Sequence, residues 1–189
     1  MAHDAALEAH ENAEHAEHAQ HAQDPFIARV TITIAVLAVL AATVGSLETV
    51  EAGGAITSSA EAVLAQDKAT DSWGFYEAKS LKKNLYGLFA DQGGPKGAGY
   101  RQAEARNGAD EAKIQEEAKK NEQERDVLLA RSRLHEHRHH WLTAASTLLE
   151  VGIAICTVAI ITRKKPFWLG SLALAAGGLA LTAVAYLSA

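Results

Sequence analysis

The sequence predicts an all-α fold with three transmembrane helices and a long extramembrane antiparallel helical hairpin, similar to a coiled-coil stalk. The first observation is that three segments are free or nearly free of charge: Val30–Leu47, Trp141–Thr162, in which Glu150 is the one charged residue, and Phe167–Ala189. A bilayer core about 30 Å thick is crossed by about 20 helical residues, so each segment is long enough. The second observation is that the chain has only 3 prolines, with mainly helix-forming residues between them.

The prolines mark the expected boundaries of the helices. Pro25 opens the first transmembrane helix, because proline is tolerated in the first turn of a helix. Pro95 lies in a glycine-rich turn, and Pro166 lies in the connection before the last helix. The Gly53–Gly54 pair is expected to break or kink the chain after the first span. The predicted parts are an N-terminal tail at 1–24, transmembrane helix 1 at 25–50, the hairpin at 51–140 with its turn near 91–99, transmembrane helix 2 at 141–163 and transmembrane helix 3 at 166–188.

The central part is expected to contain two polar helical arms, Ala55–Ala90 and Gln102–His140, of roughly 50 and 60 Å at about 1.5 Å per residue. Similar lengths joined by one turn favour an antiparallel hairpin. The second arm has few large apolar residues, so little area is buried between the arms. The hairpin is therefore either a mobile stalk or a surface for self-association, and we expect self-association. The first arm places five apolar residues on one helical face: Phe75, Ala78, Leu81, Leu85 and Leu88.

Basic residues beside the apolar segments predict the orientation. Arg29 and the short loop Arg163–Lys165 favour a cytoplasmic N-terminus, with the hairpin on the outer side. Arg131, Arg133 and Arg138 on the opposite side oppose this orientation, and the short loop decides because the rule is most dependable for short loops. The residues expected at the membrane interfaces are Arg138, His139, Trp141, Arg163, Lys164 and Lys165.

Glu150 is expected near the middle of the bilayer, roughly 13 Å along the helix from Trp141 at about 1.5 Å per residue. An ionised carboxylate at that depth is costly unless it is paired, so Glu150 is expected to face protein or to keep its proton. The expected neighbours are the hydroxyl of Thr43 on the first span and Gly177 and Gly178 on the third, where helices can approach closely. Two interpretations remain open: a polar clasp between helices, or a proton or ion path, including an oligomeric pore.

Histidines form two clusters that could bind a metal. In the tail, His15, His18 and His21 recur every third residue, a spacing at which helical imidazoles share a zinc or another transition metal. The alternative is a low-complexity, solvated tail. His135 and His139 are one helical turn apart, and they either bind metal, titrate near neutral pH or meet lipid headgroups. No other cofactor is expected.

The segment Leu64–Tyr86 contains the pattern W-x-x-Y-x-A-K-S, at Trp73, Tyr76, Ala78, Lys79 and Ser80. Together with Asp24-Pro25-Phe26, Arg29-Val30 and TIAVLAVL from Thr33, it resembles an uncharacterised family of bacterial membrane proteins, domain of unknown function 4337. The resemblance covers about residues 24–188, implies this layout in a bacterial membrane and leaves the function open. With the orientation that the basic residues predict, the membrane is expected to be the bacterial inner membrane and the hairpin to be periplasmic. Trp73, Tyr76, Lys79 and Ser80 are expected either to dock a partner or an oligomer neighbour, or to form a core layer near the membrane.

These observations favour a non-enzymatic membrane scaffold or accessory subunit that oligomerises or docks through its stalk, with the lipid bilayer and copies of itself or a larger complex as partners. The alternatives are an oligomeric channel or ion-linked transporter using Glu150, and a metal or pH sensor using the histidines. An enzyme is not expected, because a two-helix hairpin offers no concave pocket. The net charge of −5 gives no basic surface for nucleic acid.

Overall fold

The computed structural model describes residues 25–188 and contains three α-helices and no strand over that range. Helix α1 is Pro25–Asp91, α2 is Gly97–Thr162 and α3 is Lys165–Leu187. Each helix contains a segment long and apolar enough to cross a membrane. The prediction of an all-α chain with three such helices is therefore confirmed.

Helix α1 does not end at Gly53–Gly54, where the sequence suggested a break. It continues for 67 residues, from Pro25 to Asp91. A glycine inside a helix costs only about 1 kcal/mol relative to alanine, and the neighbours Glu51 and Ala52 are compatible with a helix. This cost is too small to end a helix whose neighbouring turns pack well.

The two connections are short and have a clear local cause. After Asp91, Gly93 and Gly94 adopt positive φ angles of 76° and 108°, which glycine accepts without steric cost. After Thr162, Arg163 has a φ of 53° and reverses the chain direction before α3. Pro166 lies in the first turn of α3 rather than in the connection, at a place where its missing N–H leaves no helical bond unmade.

The chain forms two compact units. Among the described residues, the first, here the apolar unit, contains residues 25–49 and 138–188, and the second, the central unit, is Val50–His137. The apolar unit packs residues from all three helices into one core. Its buried residues are Val30, Leu37 and Val44 on α1, Leu142, Ala145, Leu149, Cys156 and Ala159 on α2, and Ala175 and Ala185 on α3.

The central unit has a core of small and polar residues. The buried positions of α1 here are Glu51, Ser58, Ala62, Ala65, Ala69, Ser72 and Ala90, and those of α2 are Asn107, Glu111 and Ala118. From Ser58 to Ser72 the buried residues recur at alternating spacings of four and three, a repeat that keeps one side of a helix against a neighbour. Small side chains allow close contact but bury little apolar area. Hydrogen bonds and salt bridges therefore contribute a larger share of the stability of the contact between α1 and α2.

Candidate interaction site

The W-x-x-Y-x-A-K-S segment faces α2 of its own chain within the central unit. The indole Nε1 of Trp73 donates a hydrogen bond to Glu122 over 2.9 Å, and its ring makes an edge contact with Tyr76 at 5.3 Å between centroids. The ammonium of Lys79 binds Asp110 at 2.7 Å. Among the proposed docking residues, the structure thus brings Trp73, Tyr76 and Lys79 to contacts inside the chain rather than to open surface.

Glu111 is the most buried of the three acidic residues of α2 that contact this face of α1, which are Asp110, Glu111 and Glu122. Its side chain is only 10% exposed and forms a salt bridge with Lys83. Polar interactions with Ser80 and Tyr76 also lower the pKa of its carboxyl group. Asp110, Glu111 and Glu122 were not among the predicted site residues. The available signal was their helical spacing from Asn107 and Ala118, which the structure shows to be buried on α2.

These bonds shift the pKa values of three groups. The hydrogen bond from Lys83 holds the pKa of Glu111 below its ordinary value, and the hydrogen bond from Lys79 does the same for Asp110. The hydrogen bond between Lys83 and Glu111 also raises the pKa of Lys83 above its ordinary value of 10.5. At a pH above their ordinary pKa values, the two carboxylates therefore stabilise the folded unit fully. This stabilisation is lost as the pH falls through their lowered pKa values in the folded chain. Lys83 contributes below pH 10.5 and loses its contribution as the pH rises through its raised pKa.

We expect Glu111→Gln to lower the thermal stability of the full chain at pH 7, because it removes the charged partner of Lys83. The difference from the native chain should shrink as the pH falls below 4.5, the ordinary pKa of glutamate, at which half of the carboxyl groups in the unfolded chain are protonated. Melting followed by circular dichroism at pH 7, 4 and 3 measures both effects. Glu117→Gln, on an exposed position of α2, is the control and should behave like the native chain. A loss that stays equal at all pH values would contradict the assignment.

The opposite side of α1 carries an exposed apolar stripe, defined by Ala78, Leu81, Leu85 and Leu88. The leucines are 71%, 46% and 64% exposed in that order. Phe75, 66% exposed, lies at the edge of the stripe. The amphipathic face seen in the sequence is therefore real, but it points away from α2, which the polar face occupies.

At the other end of the central unit, Glu51 and His135 form a close pair. A carboxylate oxygen of Glu51 contacts Nδ1 of His135 at 2.5 Å, and the glutamate side chain is 8% exposed. The imidazole lies against Gly54, where an added Cβ would come within 2.9 Å of the ring. One turn away, the hydroxyl of Ser132 donates a hydrogen bond to the carbonyl of Ala55. His135 therefore has a packing role.

In the apolar unit, Glu150 lies on the exposed side of α2. Ser146 of the same helix donates a long hydrogen bond, 3.4 Å, to the Glu150 carboxylate. Thr43 donates its hydroxyl hydrogen to the carbonyl of Val39 instead. The single chain thus does not bring Glu150 together with Thr43, Gly177 or Gly178.

The two glycines of α3 do mark a close helix contact. A Cβ at position 178 would lie 2.9 Å from the carbonyl oxygen of Ala145 and 3.1 Å from Leu149. A Cβ at position 177 would make an ordinary contact of 3.6 Å with Leu148. Gly178 is therefore a position of very close approach between α2 and α3, and Gly152 is a second, where an added Cβ would lie 3.3 Å from the carbonyl oxygen of Ser171.

The residues expected at the interfaces fall into two groups. Near the start of the α2 apolar segment, the guanidinium of Arg138 lies 5.1 Å from the centre of the Tyr186 ring, His139 lies 3.9 Å from Glu48, and Trp141 packs against the apolar core. At the other end, Arg163, Lys164 and Lys165 are all exposed in the connection and at the start of α3. Basic residues thus lie at both ends of the apolar segment, where headgroups are expected, and aromatic residues accompany them at the end near Arg138.

The proposed metal ligands His15, His18 and His21 lie outside the described residues. Within residues 25–188, no group of three or more histidine, cysteine, aspartate or glutamate side chains is placed to hold a metal ion.

Comparison with known proteins identifies one family. The model of a family described as a domain of unknown function, DUF4337, matches residues 26–188. No curated protein and no solved structure is detectably similar to the chain.

Proposed function

The chain belongs to the DUF4337 family of unknown function, and we propose that it is a non-enzymatic membrane scaffold or accessory subunit that docks through its central unit. Three helices that are able to cross a membrane support the anchoring part of this proposal. The central unit is then an extramembrane stalk, because its polar and charged surface is incompatible with lipid.

The proposal gives the stalk the form of an antiparallel helical hairpin. Contacts between α1 and α2 support it, since Ala55 pairs with Ser132, Gln66 with Arg125 and Lys79 with Asp110. Residue numbers rise along one helix as they fall along the other. The salt bridges at Lys79 and Lys83 favour one register of the two arms. A bacterial inner membrane, a cytoplasmic N-terminus and a periplasmic stalk complete the proposal, on the basis of the short basic loop Arg163–Lys165.

The single observation that carries the proposal is the exposed apolar stripe. A helix in water ordinarily turns its apolar face towards a neighbour, and contiguous exposed apolar patches mark interaction surfaces. Here the neighbouring helix of the same chain contacts the polar face, so the apolar face is available to another molecule. Burying a leucine fully contributes about 1.5–3 kcal/mol, so three leucines supply a useful association energy.

We expect the protein to remain assembled when it is gently extracted from its membrane. The double variant Leu81→Gln, Leu85→Gln should dissociate. Native mass spectrometry measures this, with the fraction of assembled chains dropping at least about tenfold because two apolar contacts are lost. The matched control is Val127→Gln on α2, since Val127 is 70% exposed but lies outside the stripe. A native chain that is monomeric in the membrane extract, with no change in either variant, would contradict a docking role.

An oligomeric channel or ion-linked transporter is a second candidate, favoured by the position of Glu150. Its carboxylate lies on the exposed side of α2 near the middle of a 22-residue apolar segment, Trp141–Thr162. Lipid is a poor solvent for a carboxylate, and such residues mark ion paths in many membrane proteins. Purified protein in liposomes should then conduct protons or cations, and Glu150→Gln should abolish the flux. Flux at the background level of empty liposomes would eliminate this candidate.

A further inference from the structure

We infer that the occupant of the apolar stripe is a second copy of this chain, lying parallel to the first with equivalent residues at the same height. This inference rests on the proposed function, because it names the partner of the surface that the proposal identifies.

The membrane anchor determines the direction of such a contact. Copies that insert with the same orientation are related by an axis along the membrane normal, so their helices α1 run in the same direction. The stripe of one copy is then level with the stripe of its neighbour. Confinement to one bilayer also raises the effective concentration of copies for each other, as a linker does for tethered domains.

The spacing of the stripe fits a parallel helix pair. Ala78, Leu81, Leu85 and Leu88 follow one another at three, four and three residues, which is the repeat of a left-handed two-helix seam. Ala78 is preceded four residues earlier by Gly74, so the side chains are small at the end of the stripe nearer to the apolar segment Val30–Leu47. The three leucines supply the larger side chains in the rest of the helix contact.

Charges at the edges of the stripe select the parallel arrangement. Glu77 and Lys82 flank the seam on opposite sides and are exposed. They are five residues apart, so they point in different directions on one helix and make no salt bridge with each other in the described chain. In a parallel pair, a residue at one flank of the contact lies opposite the residue five positions later on the partner helix. Glu77 of each copy would therefore lie opposite Lys82 of the other copy, which gives two symmetric salt bridges.

The seam is too short to associate without the anchor. Gly74 to Leu88 covers 15 residues, or about two heptads, whereas a free coiled coil needs about three to four. The pairing should therefore depend on the membrane, and its test uses the full chain in native membranes.

Disulfide trapping measures the pairing directly. The one native cysteine, Cys156, is buried and is first changed by Cys156→Ala. In that background we expect Leu81→Cys to form a disulfide-linked dimer under mild oxidation. The matched control is Ala109→Cys, since Ala109 is exposed on α2 and lies beside Asp110, the partner of Lys79. Equal trapping at both positions would indicate random collision and overturn the inference.

Charge reversal then tests the parallel register. In the Leu81→Cys chain, Glu77→Lys or Lys82→Glu alone places like charges opposite each other at two symmetric points and should lower the dimer yield about fivefold. The double reversal restores both pairs and should recover the yield. Loss of dimer in the double variant as well as in the single variants would overturn the parallel register.

A photo-crosslinking residue at position 85 separates failure of this inference from failure of the proposed function. An adduct of twice the chain mass supports the second copy. An adduct with another protein, without a disulfide at position 81, would overturn the inference and leave the docking role intact. No adduct of either kind would overturn both.

Discussion

Gly178→Ala should destabilise the packing of α2 against α3 by about 1–3 kcal/mol, the usual cost of adding a methyl group to a tightly packed contact. The new Cβ would lie 2.9 Å from the carbonyl oxygen of Ala145. A backbone atom cannot turn aside as a side chain does, so the two helices must separate. Thermal unfolding in detergent measures the loss as a lower melting temperature.

The neighbouring glycine supplies the control for this experiment. A Cβ at position 177 meets Leu148 at 3.6 Å, which is an ordinary contact distance. Alanine is also the better helix former, by about 1 kcal/mol. Gly177→Ala should therefore be neutral or stabilising. Equal losses at both positions would show that the contact distance at Gly178 does not govern the packing.

Gly54→Ala should destabilise the central unit by about 1–2 kcal/mol, because overpacking against His135 exceeds the gain in helix propensity. The added Cβ would lie 2.9–3.0 Å from three atoms of the imidazole ring. His135 can leave only by giving up its contact with Glu51. Hydrogen exchange at the backbone amides around residues 51–56 and 132–137 should become faster.

Two further variants separate the steric cause from a general effect of glycine replacement. Gly53 has nothing within 4 Å of an added Cβ, so Gly53→Ala should slow exchange through its better helix propensity. His135→Ala should largely rescue Gly54→Ala, since the obstructing ring is removed. Failure of the rescue would assign the loss to something other than the Gly54–His135 contact.

Elementary patterns in the sequence were enough to predict an all-helical chain and its apolar segments. Runs of about 20 uncharged residues indicate membrane segments without any knowledge of packing. The reason is that the free-energy cost of placing a charged side chain in lipid depends on that residue alone and not on its distant contacts. The glycine-rich stretch before Gly97 indicated a turn for a similar reason, since positive φ angles at Gly93 and Gly94 are accessible to glycine. The break expected at Gly53–Gly54 was wrong, because the local penalty is small; Gly54 instead makes room for His135.

The choice of packing face could not be predicted from amphipathicity alone. Leu81 and Leu85 form the obvious apolar face of α1, yet the face that contacts α2 carries Ser72, Lys79 and Lys83. A repeat of small residues at Ser58, Ala62, Ala65, Ala69 and Ser72 was present as a signal. This repeat was a weak signal because alanine contributes little hydrophobicity. The carboxylates that bind Lys79 and Trp73 gave no local signal, because they lie about 30 to 50 residues away in the chain.

The sequence by itself determined the all-helical character of the described residues, the segments able to cross a membrane and the turn between α1 and α2, since each depends on the solvation or backbone preference of neighbouring residues. Tertiary structure alone decided that Glu111 joins Lys83, that Gly54 accommodates His135 and that the apolar stripe remains exposed. It also left Glu150 on the outer side of α2 rather than against Gly177. These features depend on the rotation of each helix about its own axis, which contacts between distant residues determine.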